Sequence, residues 1–314
     1  MKLLKLIPED TEFPFMRARL ITFPISMLMI VGTFLLLGMV GLNYGIDFAG
    51  GTLVEVRSHA SPADLGKIRA ELSELGLGEV QVQGFGQPDD VLIRLQQQDG
   101  GDLAQQAAVA KVKATLGDEY DYRRTEVVGP RVSADLRRDG TIAVVVSLVL
   151  VLIYLWFRFE WQFAVGAVLT TIHDVVLTLG LLSLTQISFD LPAIAAILTI
   201  VGYSLNDTVV IYDRIRENLR KYKKMPLDAL IDLSINQTLT RTIRTSTTTF
   251  LAMLALFVFG GEALRGFNFT MLAGIVIGTY SSIVVAAPLL IFLNLRTGGG
   301  KESKGGESEA AAGV

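Results

Sequence analysis

The sequence predicts a polytopic α-helical membrane protein with six transmembrane helices and one folded aqueous domain inserted between the first two. Composition is the first observation: 51% of the 314 residues are hydrophobic and only 19% are charged, against about 25% charged in ordinary soluble domains. The second is that the apolar residues form runs long enough to cross a hydrocarbon core, which takes about 20 helical residues. Between Gly51 and Gly140 the composition returns to that of a soluble domain.

Six apolar runs are predicted to span the membrane. The first, at 20–42, follows Arg17 and Arg19. It is longer than the core of about 7 to 15 residues in a cleaved signal peptide, so we expect it to be retained. The other five runs follow the inserted domain and lie at 142–157, 163–184, 191–212, 245–259 and 269–293.

The distribution of Lys and Arg predicts that both termini are cytoplasmic. Basic residues are concentrated before the first run, after the fourth and after the sixth, whereas the turns at 185–190 and 260–266 contain only Arg265. Short cytoplasmic loops carry an excess of Lys and Arg, but long domains are translocated regardless of charge. We therefore expect residues 1–19 and 296–314 in the cytoplasm and residues 43–140 outside. The tail, rich in Gly, Ser, Glu and Ala, is expected to be disordered.

The inserted domain is predicted to have the ferredoxin-like α+β order β-α-β-β-α-β. Residues 52–57 alternate apolar and polar, as a half-buried strand does. Ser61 is predicted to cap a helix that begins at Pro62 and runs to about residue 75. Two strands are predicted at 80–85 and 91–95 around a Gly-Gln-Pro-Asp turn, followed by a helix at 103–116 and a strand at 120–127. This order is the split-βαβ pattern.

Titratable residues within the spans are the main functional candidates, because charges are costly in hydrocarbon. His173 and Asp174 lie near the midpoint of the third run, and Asp207 lies in the fourth, on the cytoplasmic side of its centre. Arg241 belongs to a polar stretch, 236–249, that leads into the fifth run. A buried aspartate can take up a proton, whereas arginine stays charged. Asp207 near Arg241, reached intermittently by water, would be the minimal apparatus of a proton relay.

Other interpretations of these polar residues stay open. His173 and Asp174 can equally well serve only to hydrogen-bond neighbouring helices. The hydroxyl run after Arg241 is better explained by helix packing than by a substrate path, and Arg244 is interpreted as marking the cytoplasmic end of its span. Glycines at GxxxG spacing, Gly274 and Gly278, indicate close helix packing.

Composition argues against nucleic-acid binding and against most enzymatic sites. The net charge is −3 and there is no cysteine, so neither a basic nucleic-acid surface nor a thiol site is indicated. The two histidines, His59 and His173, are predicted in different compartments, which excludes a multi-histidine metal site. An intramembrane aspartyl protease would need Asp174 and Asp207 to share a proton, and spacing alone does not show that they meet. We therefore predict a protein that is not an enzyme and has no metal or organic cofactor.

Several segments, in order, resemble a known family. The first is NYGIDFAGGT at 43–52, which contains Gly45, Asp47, Gly50 and Gly51, and the second is VGPRVS at 128–133, which contains Gly129 and Pro130. These are similar to segments of the SecD/SecF family of protein-export membrane proteins. His173-Asp174, GYSLNDT at 202–208, DRIREN at 213–218 and TRT at 240–242 resemble the SecF branch in particular. The resemblance covers about residues 17–295.

The resemblance implies a SecF-type subunit of the Sec machinery in the bacterial cytoplasmic (inner) membrane, which drives late preprotein translocation with the proton-motive force. It implies SecD, the SecYEG translocon and the translocating preprotein as partners, with YajC and YidC as further candidates. It also relates the six helices to half of an RND-type bundle, so an obligate partner is expected. Asp207 and Arg241 match family positions implicated in proton coupling, and Gly50-Gly51 matches the turn between the first span and the outer domain.

Two alternatives to this function remain. The chain could be a passive scaffold or chaperone subunit of the translocon, which would tolerate Asp207→Asn, whereas a proton site would not. It could also be a small-molecule proton antiporter of RND type, although an outer domain of about 90 residues offers little room for a drug-sized substrate. Sodium could replace the proton, since Asp207 would serve either ion.

Overall fold

The computed structural model describes residues 11–78, 80–261, 264–293 and 295. Within them, six helical segments are long and apolar enough to cross a membrane, which confirms the predicted fold class. They are α1 (Phe15–Met39), α5 (Pro130–Arg158), α6 (Trp161–Thr185), α7 (Leu191–Lys221), α8 (Leu227–Phe259) and the segment Arg265–Phe292. The last comprises α9 (Arg265–Ser281), a π-helical turn (Ser282–Ala286) and α10 (Ala287–Phe292). The tail predicted to be disordered lies outside the described residues.

The inserted domain has the predicted split-βαβ order. After a short helix α2 (Ile46–Ala49), its elements are β1 (Gly51–Ser58), α3 (Leu65–Ser73), β2 (Val80–Gly84), β3 (Asp90–Leu95), α4 (Gly101–Leu116) and β4 (Tyr120–Val128). The strands form one antiparallel sheet in the order β2-β3-β1-β4. Alternation along β1 and β3 buries Val54, Val56 and Ile93 against Ile68 of α3 and Val112 of α4, so one face of the sheet is covered by helices.

The first helix of this domain begins later than predicted. Helix α3 starts at Leu65 and its cap is Asp64, whose Oδ1 accepts a 2.9 Å hydrogen bond from the backbone N of Lys67. Ser61 is therefore not the cap. The reason is that the backbone N of Ala63 donates to the carbonyl of Pro88 at 2.9 Å, which ties this stretch to the β2–β3 turn and delays the helix.

Several membrane helices extend beyond their apolar runs. Helix α5 begins at Pro130 and α8 at Leu227, and the 31 residues of α7 correspond to about 46 Å at 1.5 Å per residue, against a hydrocarbon core of about 30 Å. The first turns of α8 are amphipathic, and they bury Leu230, Ile231 and Ile235 against the C-terminal half of α7. Packing, rather than hydropathy, extends these helices.

The bundle has an inner and an outer set of helices. In the apolar windows of α6, α7 and α9–α10, 56% of residues are buried, against 11% in α1, α5 and α8. Close contact in the inner set confirms the packing predicted for the two glycines: a Cβ on Gly274 would collide with Ile200, and one on Gly278 would lie 3.1 Å from the Cβ of Ser204. The inner set therefore holds α7, which carries Asp207, tightly against α9.

Candidate ion-coupling site and its link to the outer domain

Asp174 is the centre of a fully buried hydrogen-bond cluster between α6, α7 and α9. One carboxylate oxygen lies 2.9 Å from Nδ1 of His173, and the other accepts hydrogen bonds from Ser204 and, at 2.7 Å, from Ser281. Asp174 is 0% exposed. We call these four residues the Asp174 cluster. The carboxylate hydrogen-bonds residues of neighbouring helices, which is the packing interpretation given for it from the sequence. Nε2 of His173 is buried without a partner among the described residues.

Asp207 lies one helical turn after Ser204 on α7 and belongs to a second group. Ser246 of α8 is 3.4 Å from its Oδ2 and accepts a 2.7 Å hydrogen bond from Thr279 of α9. These three residues are the Asp207 cluster. The neighbouring hydroxyl of Thr245 donates to backbone carbonyls of its own helix at 3.2 and 2.9 Å and also lies beside the Asp207 carboxylate. Asp207 is only 3% exposed, yet within 3.5 Å its carboxylate has one side-chain hydrogen bond in the described part of the chain, the long contact with Ser246.

The two aspartates do not form a dyad. Asp174 uses its oxygens on His173, Ser204 and Ser281, whereas Asp207 faces Ser246, and no hydrogen bond joins the two carboxylates within the described residues. Paired carboxylates that share a proton must lie in direct contact. This arrangement therefore gives no support to an aspartyl protease.

Arg241 lies one to two turns before Ser246 on α8 and is exposed at the surface of the bundle. It acts on Asp207 as a neighbouring positive charge rather than through a direct ion pair between the described side chains. Arg244, on the same helix face, is also exposed. The structure thus brings the charge of Arg241 near Asp207 but leaves both arginines facing outward.

A π-helical turn separates α9 from α10 beside these clusters. Its first residue, Ser282, lies 3.0 Å from the hydroxyl of Thr208, and its last, Ala286, accepts a 2.9 Å hydrogen bond from the phenol of Tyr212. Such insertions are frequent at functional sites because they add a residue to one turn and re-aim the side chains around it. Here the turn faces the half of α7 that follows Asp207.

The hydroxyl groups contributed by the last span were not predicted from the sequence. Thr279 and Ser281 complete the two clusters, and Ser282 of the π-helical turn meets Thr208, but attention to charged residues alone does not reveal them. A signal was available, because four consecutive polar residues, Thr279-Tyr280-Ser281-Ser282, interrupt an otherwise apolar span. Polar groups in lipid need internal partners, so such a run predicts contacts with other helices.

The motif glycines form the turn between α2 and β1. Gly50 and Gly51 have φ values of 73° and 109°, which L-residues with a side chain rarely adopt. A Cβ on Gly51 would also collide with the carbonyl oxygen of Leu95 on the neighbouring strand. Glycine is therefore required where the chain enters the first strand of the inserted domain.

The same motif holds the start of α7. Oδ2 of Asp47 accepts a 2.9 Å hydrogen bond from the backbone N of Leu191, the first residue of that helix. The backbone N of Gly45 donates to the carbonyl of Phe189 at 2.8 Å, and a Cβ on Gly45 would lie 3.0 Å from the Cβ of Asp190. The motif that begins the outer domain is thus bonded to the helix that carries Asp207.

The second motif begins α5. Gly129 is the extended residue before the helix, and Pro130 occupies its first turn, where a missing N–H costs nothing. Two turns further, Arg137 donates a hydrogen bond to the carbonyl of Phe48 in α2. The two motifs therefore meet at the base of the outer domain.

A polar cleft of 360 Å³ separates the uncovered face of the sheet from the turn between α6 and α7. Arg94 of β3 donates a 3.1 Å hydrogen bond to Asn43, and its positive charge faces Asp190. Burial lowers the pKa of Arg94 and raises the pKa of Asp190, the residue that caps α7. These partly buried charges join the domain to the bundle.

Metal binding has no support in the described residues, which contain no group of three or more His, Cys, Asp or Glu side chains placed to hold an ion.

Comparisons with known proteins agree on one family. The family model described as "Protein export membrane protein SecD/SecF, C-terminal" matches residues 108–296, and "SecD/SecF GG Motif" matches residues 35–61. The second match contains Gly45, Asp47, Gly50 and Gly51, the residues at the domain–bundle junction.

Curated and solved relatives extend the match to nearly the whole chain. A protein translocase subunit SecF from Rickettsia bellii is 47% identical over 296 residues, which cover 93% of this chain and 97% of the relative. A protein translocase subunit SecDF from Brucella abortus is 47% identical over 293 residues. This alignment covers 93% of this chain but only 39% of that protein. The crystal structure of SecDF from Thermus thermophilus, described as a translocon-associated membrane protein, superposes with a TM-score of 0.83 at 36% identity, over 93% of this chain and 40% of that one. The chain therefore spans about two-fifths of the SecDF relatives it matches.

Proposed function

The chain belongs to the SecD/SecF family of protein-export membrane proteins, as a SecF-type subunit of the protein translocase, and on this premise we propose that it couples an ion gradient to preprotein export. In this proposal Asp207 is the ion-binding group, and the proton is the expected ion. Arg241 is the fixed charge that influences it, and the outer domain is the part that moves or holds the preprotein. His173 and Asp174 are proposed to support the site, and no catalytic reaction is proposed.

One observation carries the proposal: a buried, sparsely hydrogen-bonded carboxylate lies on the helix whose first residue is bonded to the outer domain. Asp207 is 3% exposed with one hydroxyl at 3.4 Å, and Leu191 at the start of the same helix donates to Asp47. A packed helix transmits displacement as a rigid element. Loading or release of an ion at Asp207 that shifts α7 would therefore also act on the base of the outer domain.

The free energy released by one proton crossing the membrane is sufficient for this coupling. One proton moved through about 100 mV releases about 2.3 kcal/mol. At about 1.4 kcal/mol per tenfold change, this biases two positions of the outer domain by roughly fifty-fold. A single titrating carboxylate therefore suffices for a useful population shift in each cycle.

The proposed partners follow from the relatives. SecD and SecF occur as one SecDF chain in Brucella abortus and Thermus thermophilus, which supports SecD as the partner that completes the bundle. We extend the proposal to SecYEG, YajC and YidC and to the emerging preprotein. The basic residues of the loop after α7 support an orientation with both termini in the cytoplasm and residues 43–140 outside.

Asp207→Asn tests the proposal. Preprotein export is measured in membrane vesicles or cells with variant and unchanged protein at matched membrane levels, with and without an uncoupler. We expect the variant to lose the uncoupler-sensitive part of export, because asparagine keeps the shape of the side chain but cannot exchange a proton. A sodium gradient imposed in the presence of the uncoupler then distinguishes sodium from proton coupling.

Asp228→Asn is the matched control. It makes the same chemical change at an exposed carboxylate at the start of α8, which pairs with Arg19 at 2.7 Å. Export should be unchanged in this variant. Normal export with unchanged uncoupler sensitivity in Asp207→Asn would reject ion coupling at this residue and favour the passive scaffold.

A further inference from the structure

A basic cleft lies at the end of the bundle opposite the outer domain. It is formed by the end of α5 and the last turns of α7 and has a volume of 550 Å³. Four cationic and two acidic side chains line it: Arg158, Arg216, Arg220, Lys221, Asp213 and Glu217. Nothing in the ion-coupling proposal uses this cleft.

The acidic residues of the cleft are already occupied. Both oxygens of Asp213 accept hydrogen bonds from Nη2 of Arg158, at 3.2 and 3.0 Å, and Glu217 accepts one from Arg214 at 2.8 Å. By contrast, Arg216, Arg220 and Lys221 form no ion pair with any other described residue. In addition, Nε of Arg216 is buried without a hydrogen-bond partner in the described part of the chain. The cleft therefore has positive charge that no described carboxylate neutralises.

The position of the cleft along α7 coincides with the lipid head groups. Asp213 and Arg216 follow Leu191 by 22 and 25 residues, or about 33 and 38 Å of helix. The hydrocarbon core is about 30 Å thick and the bilayer with its head groups about 40–45 Å. Trp156 and Phe157, directly before Arg158, are 59% and 86% exposed, and tryptophan is enriched where a helix meets the head-group region.

We propose that this cleft binds the head group of an anionic phospholipid. Phosphate oxygens accept the strong hydrogen bonds that guanidinium groups donate, and basic pockets beside transmembrane helices recognise anionic head groups. Arg216 and Arg220 bind the phosphate, and the exposed aromatic residues contact the acyl chains. With both termini in the cytoplasm, as proposed above, the bound lipid belongs to the cytoplasmic leaflet; the rest of this assignment does not depend on that orientation.

Lipid binding to the purified full-length chain in detergent tests this assignment. Retained lipid is measured by native mass spectrometry with phosphatidylglycerol, cardiolipin or phosphatidylcholine as the added lipid. Arg216→Gln/Arg220→Gln is expected to weaken phosphatidylglycerol and cardiolipin binding by about 25-fold, at about fivefold per cation near an anionic surface. Arg216→Lys/Arg220→Lys should retain most of the affinity, because the charge is kept.

Lys223→Gln/Lys224→Gln is the matched control, since it removes the same charge from the loop beside the cleft. Equal loss of lipid in both double variants would show diffuse attraction and overturn a defined site. Binding of phosphatidylcholine as tightly as phosphatidylglycerol would also overturn it. Displacement of the lipid by millimolar inorganic phosphate would reassign the cleft to soluble anions. None of these measurements depends on export, so failure of ion coupling at Asp207 would leave the result intact.

Discussion

The Asp174 cluster and the Asp207 cluster lie one helical turn apart on α7, and they differ in how many hydrogen bonds the buried carboxylate receives. Asp174 has a partner on each oxygen, drawn from α6, α7 and α9. Asp207, almost equally buried, has one hydroxyl at 3.4 Å. Since an unsatisfied buried polar group costs about 1–3 kcal/mol, the first arrangement favours stability and the second does not.

This difference indicates a separate role for each aspartate, whereas the sequence marked both only as titratable residues within spans. A carboxylate bonded on both oxygens fixes the relative positions of three helices, and any change in its protonation disrupts those bonds. A carboxylate with free acceptor positions can gain or lose an ion while its neighbours stay in place. Asp174 is thus suited to a positioning role and Asp207 to ion exchange, and the following substitutions test that assignment.

Removal of each carboxylate should give the largest contrast. We expect Asp174→Ala to destabilise the protein by about 3 kcal/mol, because it leaves His173 and Ser204 buried without their partner. Asp207→Ala should change stability by less than about 1 kcal/mol, since Ser246 keeps its hydrogen bond from Thr279 and a buried carboxylate is removed. Unfolding of the purified chain in detergent, followed by circular dichroism against added denaturing detergent, measures both. Equal losses would contradict the distinction between the clusters.

Much of this architecture could be predicted because it depends on local patterns. The six spans follow from apolar runs, and the outer domain from alternation in β1 and from turn residues, which require no knowledge of distant contacts. Asp207 was also found locally, as a charge in an apolar segment. The cap of α3 was predicted wrongly, at Ser61 instead of Asp64, because a contact with Pro88, 25 residues further along the chain, decides where that helix begins.

The composition of the two clusters could not be predicted in this way. Ser281 meets Asp174 across 107 residues of sequence, and Ser246 meets Asp207 across 39. Such pairs depend on how four helices, α6 to α9, are rotated against one another, and the close approach of α9 to α7 is permitted by Gly274 and Gly278. Helical periodicity identifies which residues share a face, but not which face of another helix they meet.

Removal of one hydroxyl group from each cluster should give a smaller difference in stability between the two clusters. We expect Ser281→Ala to cost about 1–2 kcal/mol, because its 2.7 Å hydrogen bond to Asp174 is buried and its acceptor is a carboxylate. Ser246→Ala should cost less than about 1 kcal/mol, since its contact with Asp207 is long. The same unfolding measurement applies to both. A larger loss for Ser246→Ala would mean that Asp207 depends on its hydroxyl partner as Asp174 does.

A small effect on stability, but a clear one on export, is expected at the end of α7 that contacts the outer domain. Asp47→Ala removes the acceptor of the Leu191 N–H, and because Asp190 still caps the helix through Ala193, the cost should be about 0.5–1 kcal/mol. Asp64→Ala is the matched control: it removes a cap bond of the same 2.9 Å length from α3, within the outer domain. If α7 transmits the state of Asp207 to that domain, Asp47→Ala lowers uncoupler-sensitive export severalfold at matched membrane levels, while Asp64→Ala does not. Equal export in the two variants would mean that the Asp47 bond merely caps a helix, and the path from Asp207 to the outer domain would have to run elsewhere in the bundle.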